Sequence, residues 1–343
     1  MSAPVCRCCG STDITLRGRK PGDFIRKEFS FYACNACELL FVEPFSGFEI
    51  YNDAYYRGQG PDPFVDYETE YRDWRRSDRG LEFADLAGLA AEHVRAGERR
   101  KEQGEGQATD RASPSPAPRP LSPALPSPSP SSLLPSPAAH RAAPLRWLDF
   151  GCGAGGFLKF LRERGSMAGR PLDLTGHDVG SYADLLQRVD GFRILDLDAL
   201  RAEPDASYDI ISLIEVIEHL PDPSAAIATV ARLLKPGGLL LLTTGNLDCA
   251  IARRHGIHYR YCAPEIHVSL FNPRCLARLY RRHGLEPKTV RYHGAVKFKV
   301  VKSLRHRKVL RAIARGALAL PPVVRAVDAL YGVSAMPCAV KTS

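Results

Sequence analysis

Four cysteines in two pairs, Cys6-x-x-Cys9 and Cys34-x-x-Cys37, are the first residues whose types and spacing imply a chemistry. Each pair makes a knuckle that turns two thiolates toward one ion, and two knuckles fill the tetrahedral shell of a structural zinc. Gly10 relieves the first turn, and Ile14, Phe24 and Phe29-Ser30-Phe31-Tyr32 supply short strand material between the knuckles. Residues 1–47 therefore read as a zinc-ribbon-like module, with Cys8 as a spare thiol. A second cluster lies downstream, in Asp149-Phe150-Gly151-Cys152-Gly153-Ala154-Gly155-Gly156. A glycine turn between a strand and a helix lets the backbone approach a nucleotide-like ligand, and the helix start offers unpaired N–H groups. Gly151, Cys152, Gly153 and Gly156 are the expected contacts. Asp149 would repel a pyrophosphate but would hold an ammonium, which favours a cationic cofactor over a dinucleotide.

Two more acids stand at the ends of the next strands. Asp178 is placed to accept both ribose hydroxyls of a nucleoside, and Asp196, followed by Leu197, to accept from an adenine amino group. Taken singly, each acid could cap a helix or solvate a loop. Glu215, Glu218 and His219 form a further set at i, i+3 and i+4, which shares one face if a helix starts at Glu215.

These residues need a scaffold, and the chain supplies one from Leu145 onward, where short apolar runs alternate with amphipathic segments. That is the pattern of a parallel sheet covered by helices, so the fold class is α/β. The expected strands are 146–150, 173–179, 192–197, 208–214, 239–244, 287–293 and 336–341. The clearest helix runs from Pro223 to Lys235, with Asp222 as N-cap, Pro223 at the first position and Ile227, Val230 and Leu234 facing inward. Pro236-Gly237-Gly238 should end it. Phe83, Leu86, Leu89 and Ala90 mark a helix between Tyr67 and Arg95, inside an aromatic linker at 48–96 that also carries Tyr51, Tyr55 and Tyr56. From Ala112 to Pro144 the chain has eleven prolines and eight serines with no acid and no aromatic residue, a composition that cannot build a core. With the polar run from Gly97, it forms a disordered insert over 97–143 ahead of an α/β domain at 144–343.

The sequence resembles the class I S-adenosylmethionine-dependent methyltransferases over roughly Leu81 to Ser343 less the insert. The match is carried by Leu148-Asp149-Phe150-Gly151-Cys152-Gly153, Asp178, Asp196, Tyr208-Asp209, Glu215-Val216-Ile217-Glu218-His219-Leu220 and Leu234-Lys235-Pro236-Gly237-Gly238. The resemblance implies a Rossmann-like seven-stranded sheet, helices on both faces, an antiparallel last strand and S-adenosylmethionine as cofactor, with Glu215 among its contacts. One departure is Thr244-Gly245-Asn246, where many relatives have proline in the middle. Glu-x-x-Glu-His also appears in the ubiquinone-pathway O-methyltransferases, which implies a divalent cation at Glu215, Glu218 and His219. The alternative is that Glu218 and His219 only cap and pack. His267 lies where substrate lies in the resembled family, and its near-neutral imidazole makes it the first candidate for a general base, with His219 the second. His255, His258 and Arg260 rank lower, and Cys249, Cys262 and Cys275 read as packing. A cysteine-knuckle module ahead of such a domain resembles some sugar C-methyltransferases.

The chain has 343 residues, 45% hydrophobic and 25% charged, which excludes collagen-like, wholly disordered and disulfide-scaffold classes. No apolar stretch approaches the roughly 18 residues of a membrane span, and cysteines stand where a signal peptide would be apolar, so a cytoplasmic address is expected. The net charge of +9 is local: Arg291 to Ser343 holds eleven Lys or Arg against one acid, Asp328. Its basic run Lys297 to Arg315, within an insertion at 297–333, reads as an amphipathic helix suited to an anionic membrane surface, a phosphorylated substrate or RNA. Three readings follow. The favoured one is methylation of a small molecule, such as a sugar nucleotide, a quinone-like, polyketide-like or lipid-linked acceptor. The others are an RNA methyltransferase and a non-catalytic scaffold that keeps the cofactor site.

Overall fold

The structure is a computed structural model that describes residues 4–61, 74–75, 79–109, 143–180, 182–288, 308–331 and 338–342. Most of the insert, Tyr67 and the basic run before Lys308 lie outside the described residues.

In chain order, β1 (Ile14–Pro21), β2 (Glu28–Cys34) and β3 (Leu40–Glu43) precede the short α1 (Asp53–Tyr56) and the long α2 (Arg79–Thr109). Then come β4 (Leu145–Phe150), α3 (Gly156–Arg164), β5 (Ser166–Met167), β6 (Arg170–His177), α4 (Tyr182–Arg188), β7 (Arg193–Leu195), α5 (Leu197–Ala202) and β8 (Tyr208–Ile214). A 3-10 turn at Ile217–His219 leads to α6 (Pro223–Leu233), β9 (Leu234–Thr243), α7 (Ala250–His255), β10 (Ser269–Leu270) and α8 (Pro273–Arg282). The chain closes with β11 (Leu285–Lys288), α9 (Lys308–Leu318), α10 (Pro321–Tyr331) and β12 (Cys338–Lys341).

The main sheet has the order β11-β12-β9-β8-β4-β6, with β7 parallel beside β6 and the two-residue β5 folded back on it. The central pairs β6-β4, β4-β8 and β8-β9 are parallel, and β12 runs antiparallel to both β9 and β11, as the resemblance implies. The chain order reverses its direction across the sheet between β4 and β8, so the β4 and β8 ends open a crevice there. One face packs Leu148, Ile211, Ile227, Val230 and Tyr280. The other packs Phe83, Leu86 and Ala90 of α2 against Trp147 and Phe157.

Three expectations about elements are corrected. Trp74 and Arg75 form a turn, with Trp74 edge-on to Phe160 at 5.0 Å, and the helix is described from Arg79, residues 67–73 and 76–78 lying outside the described residues. It then runs on to Thr109 through residues 97–109, expected to belong to the insert, since Ala, Glu, Arg, Lys and Gln in that stretch are strong helix formers. Pro236-Gly237-Gly238 does not separate α6 from the next strand; β9 already pairs at Leu234, and a register shift between Tyr208 and Ile210 absorbs the extra residues. Among the described residues no helix is long and apolar enough to cross a membrane.

The ribbon is not a free-standing module. Its antiparallel β1-β2-β3 meander takes a fourth strand, β10, from the catalytic domain, with Phe41 opposite Ser269 and Leu40 opposite Leu270.

Candidate active site and thiolate centre

The sulfur atoms of Cys6, Cys9, Cys34 and Cys37 lie within 4.8 Å of one another, with Cys6 and Cys37, and Cys9 and Cys34, each 3.5 Å apart. Four convergent thiols fit one tetrahedral ion, the donor set expected from the two knuckles. The spare thiol Cys8 and the packing residue Cys275 are not scattered: both join Cys37 in a second buried sulfur group.

Above the carboxyl ends of β4 and β8 lies a cavity of about 600 Å3. Asp149, Gly151, Cys152, Gly153 and Asp178 border it, as do Leu197 and Glu215. Asp149 is buried and accepts the hydroxyl of Ser212 at 2.7 Å, while Ser212 in turn accepts the indole N–H of Trp147 at 2.9 Å. Burial pushes the Asp149 carboxyl up to about 7, the Ser212 bond working against that rise and the charge of Asp178 adding to it. Asp178 accepts the backbone N–H of Gly153 at 2.8 Å and of Gly180 at 2.7 Å, which fixes the turn against the end of β6. At Gly153 (φ +50) a Cβ would meet nothing within 4 Å, so the open space beside this turn is available to a ligand.

Two expected cofactor contacts stand elsewhere. Gly156 opens α3 and does not border the cavity; the third left-handed glycine is its neighbour Gly155 (φ +72), where a Cβ would strike Leu186 at 2.4 Å. Asp196 is exposed and caps α5 by accepting from Ala199 N at 2.7 Å, while Leu197 and Leu200 form the wall at that point.

Phe48, Tyr51, Tyr55 and Tyr56 from the linker and His219 also line the cavity, with the Tyr56 hydroxyl beside Gly180 and Asp178 and Tyr51 against His219. His219 Nδ1 lies 2.9 Å from the carbonyl of Ile266 and 2.9 Å from the Tyr51 hydroxyl. Carbonyls only accept, so toward Ile266, and toward the Glu215 carbonyl that also hydrogen-bonds the ring, the imidazole is the donor. Burial lowers His219 to about 4, against the carbonyl contacts that raise it. His267 follows the same logic, with Nδ1 2.6 Å from the Tyr261 carbonyl. Its ring stands 4.9 Å from that of His219 but does not border the cavity, so His219 is the imidazole at the wall.

Glu218 is fully buried and accepts from Tyr261 Oη at 2.5 Å and Thr244 Oγ1 at 2.9 Å. Burial, then the nearby charge of Glu215, raise it to about 8. The cation set expected at Glu215, Glu218 and His219 is not the one assembled: Glu218, His219 and His267 bring ligand atoms within 4.8 Å of one another. The physical reason is local. No α-helix starts at Glu215, which sits at φ +55 before a 3-10 turn, so the expected shared face does not form. Tyr261, Ser212 and Glu265 stand at no characteristic spacing, and the partnership of Thr244 with Glu218 is not visible in the sequence.

A family model described as a methyltransferase domain matches residues 109–290. A ubiquinone biosynthesis O-methyltransferase of Bordetella avium is 30% identical over 160 residues, covering 43% of this chain and 64% of that one. One of Burkholderia pseudomallei is 29% identical over 193 residues, covering 52% and 82%. One of Xanthomonas oryzae is 38% identical over 112 residues, covering 30% and 44%. The chain thus spans less than two thirds of the first of these relatives, and residues 1–108 lie outside the family model's match. The glycine turn, the strand-end acids, the antiparallel last strand and the match over more than half its length agree, and the chain belongs to the class I S-adenosylmethionine-dependent methyltransferase family.

Proposed function

We propose that the protein transfers a methyl group from S-adenosylmethionine to a hydroxyl of a small quinone-like or phenolic acceptor. The observation that carries this is a single cavity lined both by the glycine turn with Asp149 and Asp178 and by linker tyrosines with His219. The residues fit the cofactor, which supplies an electrophilic methyl group when bound. Asp149 receives the ammonium, Asp178 the ribose hydroxyls, and Leu197 and Leu200 an adenine face. Tyr51, Tyr55 and Tyr56 stack on and orient an acceptor ring, and holding it in line with the methyl group is the larger part of the catalysis. His219 takes the hydroxyl proton, with the His267 ring beside it. The names of the relatives, O-methyltransferases of ubiquinone biosynthesis, support an oxygen acceptor.

The boundaries we assign are a ribbon over 1–47, a linker and first helix from 48, a Pro/Ser-rich insert that starts after Thr109, and the catalytic domain from 144. We place the reaction in the cytoplasm, where thiolates persist. The exposed Val309 and Ile313 of α9, in a basic stretch, support an anionic membrane surface as the place where a lipid-linked acceptor is met.

The test is incubation with labelled S-adenosylmethionine and separate panels of catechols, sugar nucleotides and RNA. An O-methylated catechol with stoichiometric S-adenosylhomocysteine is expected. Turnover on RNA alone would replace this reading, and cofactor binding without turnover on any panel would favour a scaffold.

A further inference from the structure

Cys8, Cys37 and Cys275 reach one point from three elements, the first knuckle, the second knuckle and the first turn of α8, and all three are buried. Their sulfur atoms lie within 4.8 Å of one another. A thiolate–metal bond of about 2.3 Å separates two sulfurs on one ion by about 3.8 Å in a tetrahedral shell and about 4.0 Å in a trigonal one, so small side-chain shifts would close this group on a cation. Cys37 belongs to both sulfur groups, and a thiolate has lone pairs enough to bridge.

We propose that the six-cysteine cluster holds two thiophilic cations: one on Cys6, Cys9, Cys34 and Cys37, and a second on Cys8, Cys37 and Cys275, with Cys37 shared. An all-thiolate set selects a soft d10 ion, such as Zn2+, Cd2+ or Cu(I). The three elements are already held in register around it. Glu38, next to Cys37, accepts from Asn272 at 3.1 Å, Arg274 at 2.8 Å and Arg278 at 2.6 Å, and Arg282 donates to the Cys8 carbonyl at 3.1 Å. Six thiolates exceed the charge of two divalent ions, and the excess faces the start of α8, where Cys275 is the third residue. The second ion would rivet the ribbon to the catalytic domain. The proposal does not depend on methyl transfer.

The test exchanges Cd2+ into the reduced full-length protein, removes unbound metal, and counts bound ions by elemental analysis, thiolate-to-metal absorbance and 113Cd resonances. Two ions per chain are expected, with two resonances coupled through a shared sulfur, and one ion in the Cys8→Ala/Cys275→Ala variant. One ion in the unaltered chain overturns the proposal, as do two ions retained in that variant. Should the double variant not fold, the count in the unaltered chain decides alone.

Discussion

Glu265 accepts the backbone N–H of Phe24 at 2.7 Å, across 241 positions of sequence. The same carboxylate takes the N–H of Ile25 at 2.6 Å and of Asp23 at 3.1 Å, so the β1-β2 turn of the ribbon is tied to the segment that carries His267 two residues on. Glu265→Ala should cost about 1–3 kcal/mol in urea unfolding, the range for hydrogen bonds to a charged acceptor. It should also lower kcat while S-adenosylmethionine affinity stays, and Glu265→Gln should recover much of kcat. An Ala variant with unchanged kcat would show that the tether does not position the imidazoles.

The raised carboxyl of Asp149 makes cofactor binding proton-linked. Without ligand it stays protonated to about pH 7. A cationic ammonium favours the ionised form, so below pH 7 binding should expel a proton and affinity should rise with pH, levelling off above 7. Because the folded value lies above the unfolded one, this group's contribution to stability is present at low pH and is lost as pH rises from about 4 through 7. Calorimetry at pH 6 in buffers of different ionisation heat reads the proton release, and Asp149→Asn should abolish it.

His219 has the opposite sign. Held down at about 4, it stays neutral in the folded protein, so the stability it contributes is present above pH 6.5 and lost as pH falls toward 4. The acid limb of kcat attributable to this residue should lie near 4 in place of 6.5. His219→Ala should slow transfer by about 100-fold or more with the cofactor still bound, the scale of lost acid-base catalysis. His267→Ala, measured alongside, ranks the two imidazoles. If chelation abolishes turnover and magnesium restores it, Glu218, His219 and His267 act as cation ligands and His219 is not the base.

At the glycine turn, S-adenosylmethionine and S-adenosylhomocysteine should bind and nicotinamide dinucleotides should not. Gly153→Val should abolish binding, since its side chain would enter open space that the ligand needs and would resist the positive φ. Asp178→Ala should weaken binding by roughly 1.5 to 3 kcal/mol, through the lost ribose contact and the freed turn. Tight NAD binding would contradict the assignment.

The glycine-turn wall of the cavity is legible in the sequence because its determinants are local. Asp149, the glycines and Asp178 lie within one strand-turn-helix-strand unit whose geometry their spacing dictates. The cap that Asp196 makes is equally local, since an acid three residues before a helix N–H serves as its acceptor. Other groupings depend on tertiary approach. Tyr261 reaches Glu218 and Thr244 only after the chain doubles back, and Cys275 meets Cys8 only once α8 docks on the ribbon. The helix through residues 97–109 is misread because polarity suggests solvent, while the same Glu, Arg, Lys and Gln residues favour helix wherever one face needs no burial.

The two residues of β10 have a consequence for synthesis. During translation β1-β2-β3 emerges well before β10, so the outer edge of β3 lacks this partner until Ser269 and Leu270 follow. For that interval the nascent chain displays an unpaired strand edge, the feature that invites pairing with a neighbouring copy. The same dependence denies the ribbon portability: excised or grafted to another enzyme it would carry an open edge, and so it should be inherited together with its methyltransferase rather than exchanged between proteins.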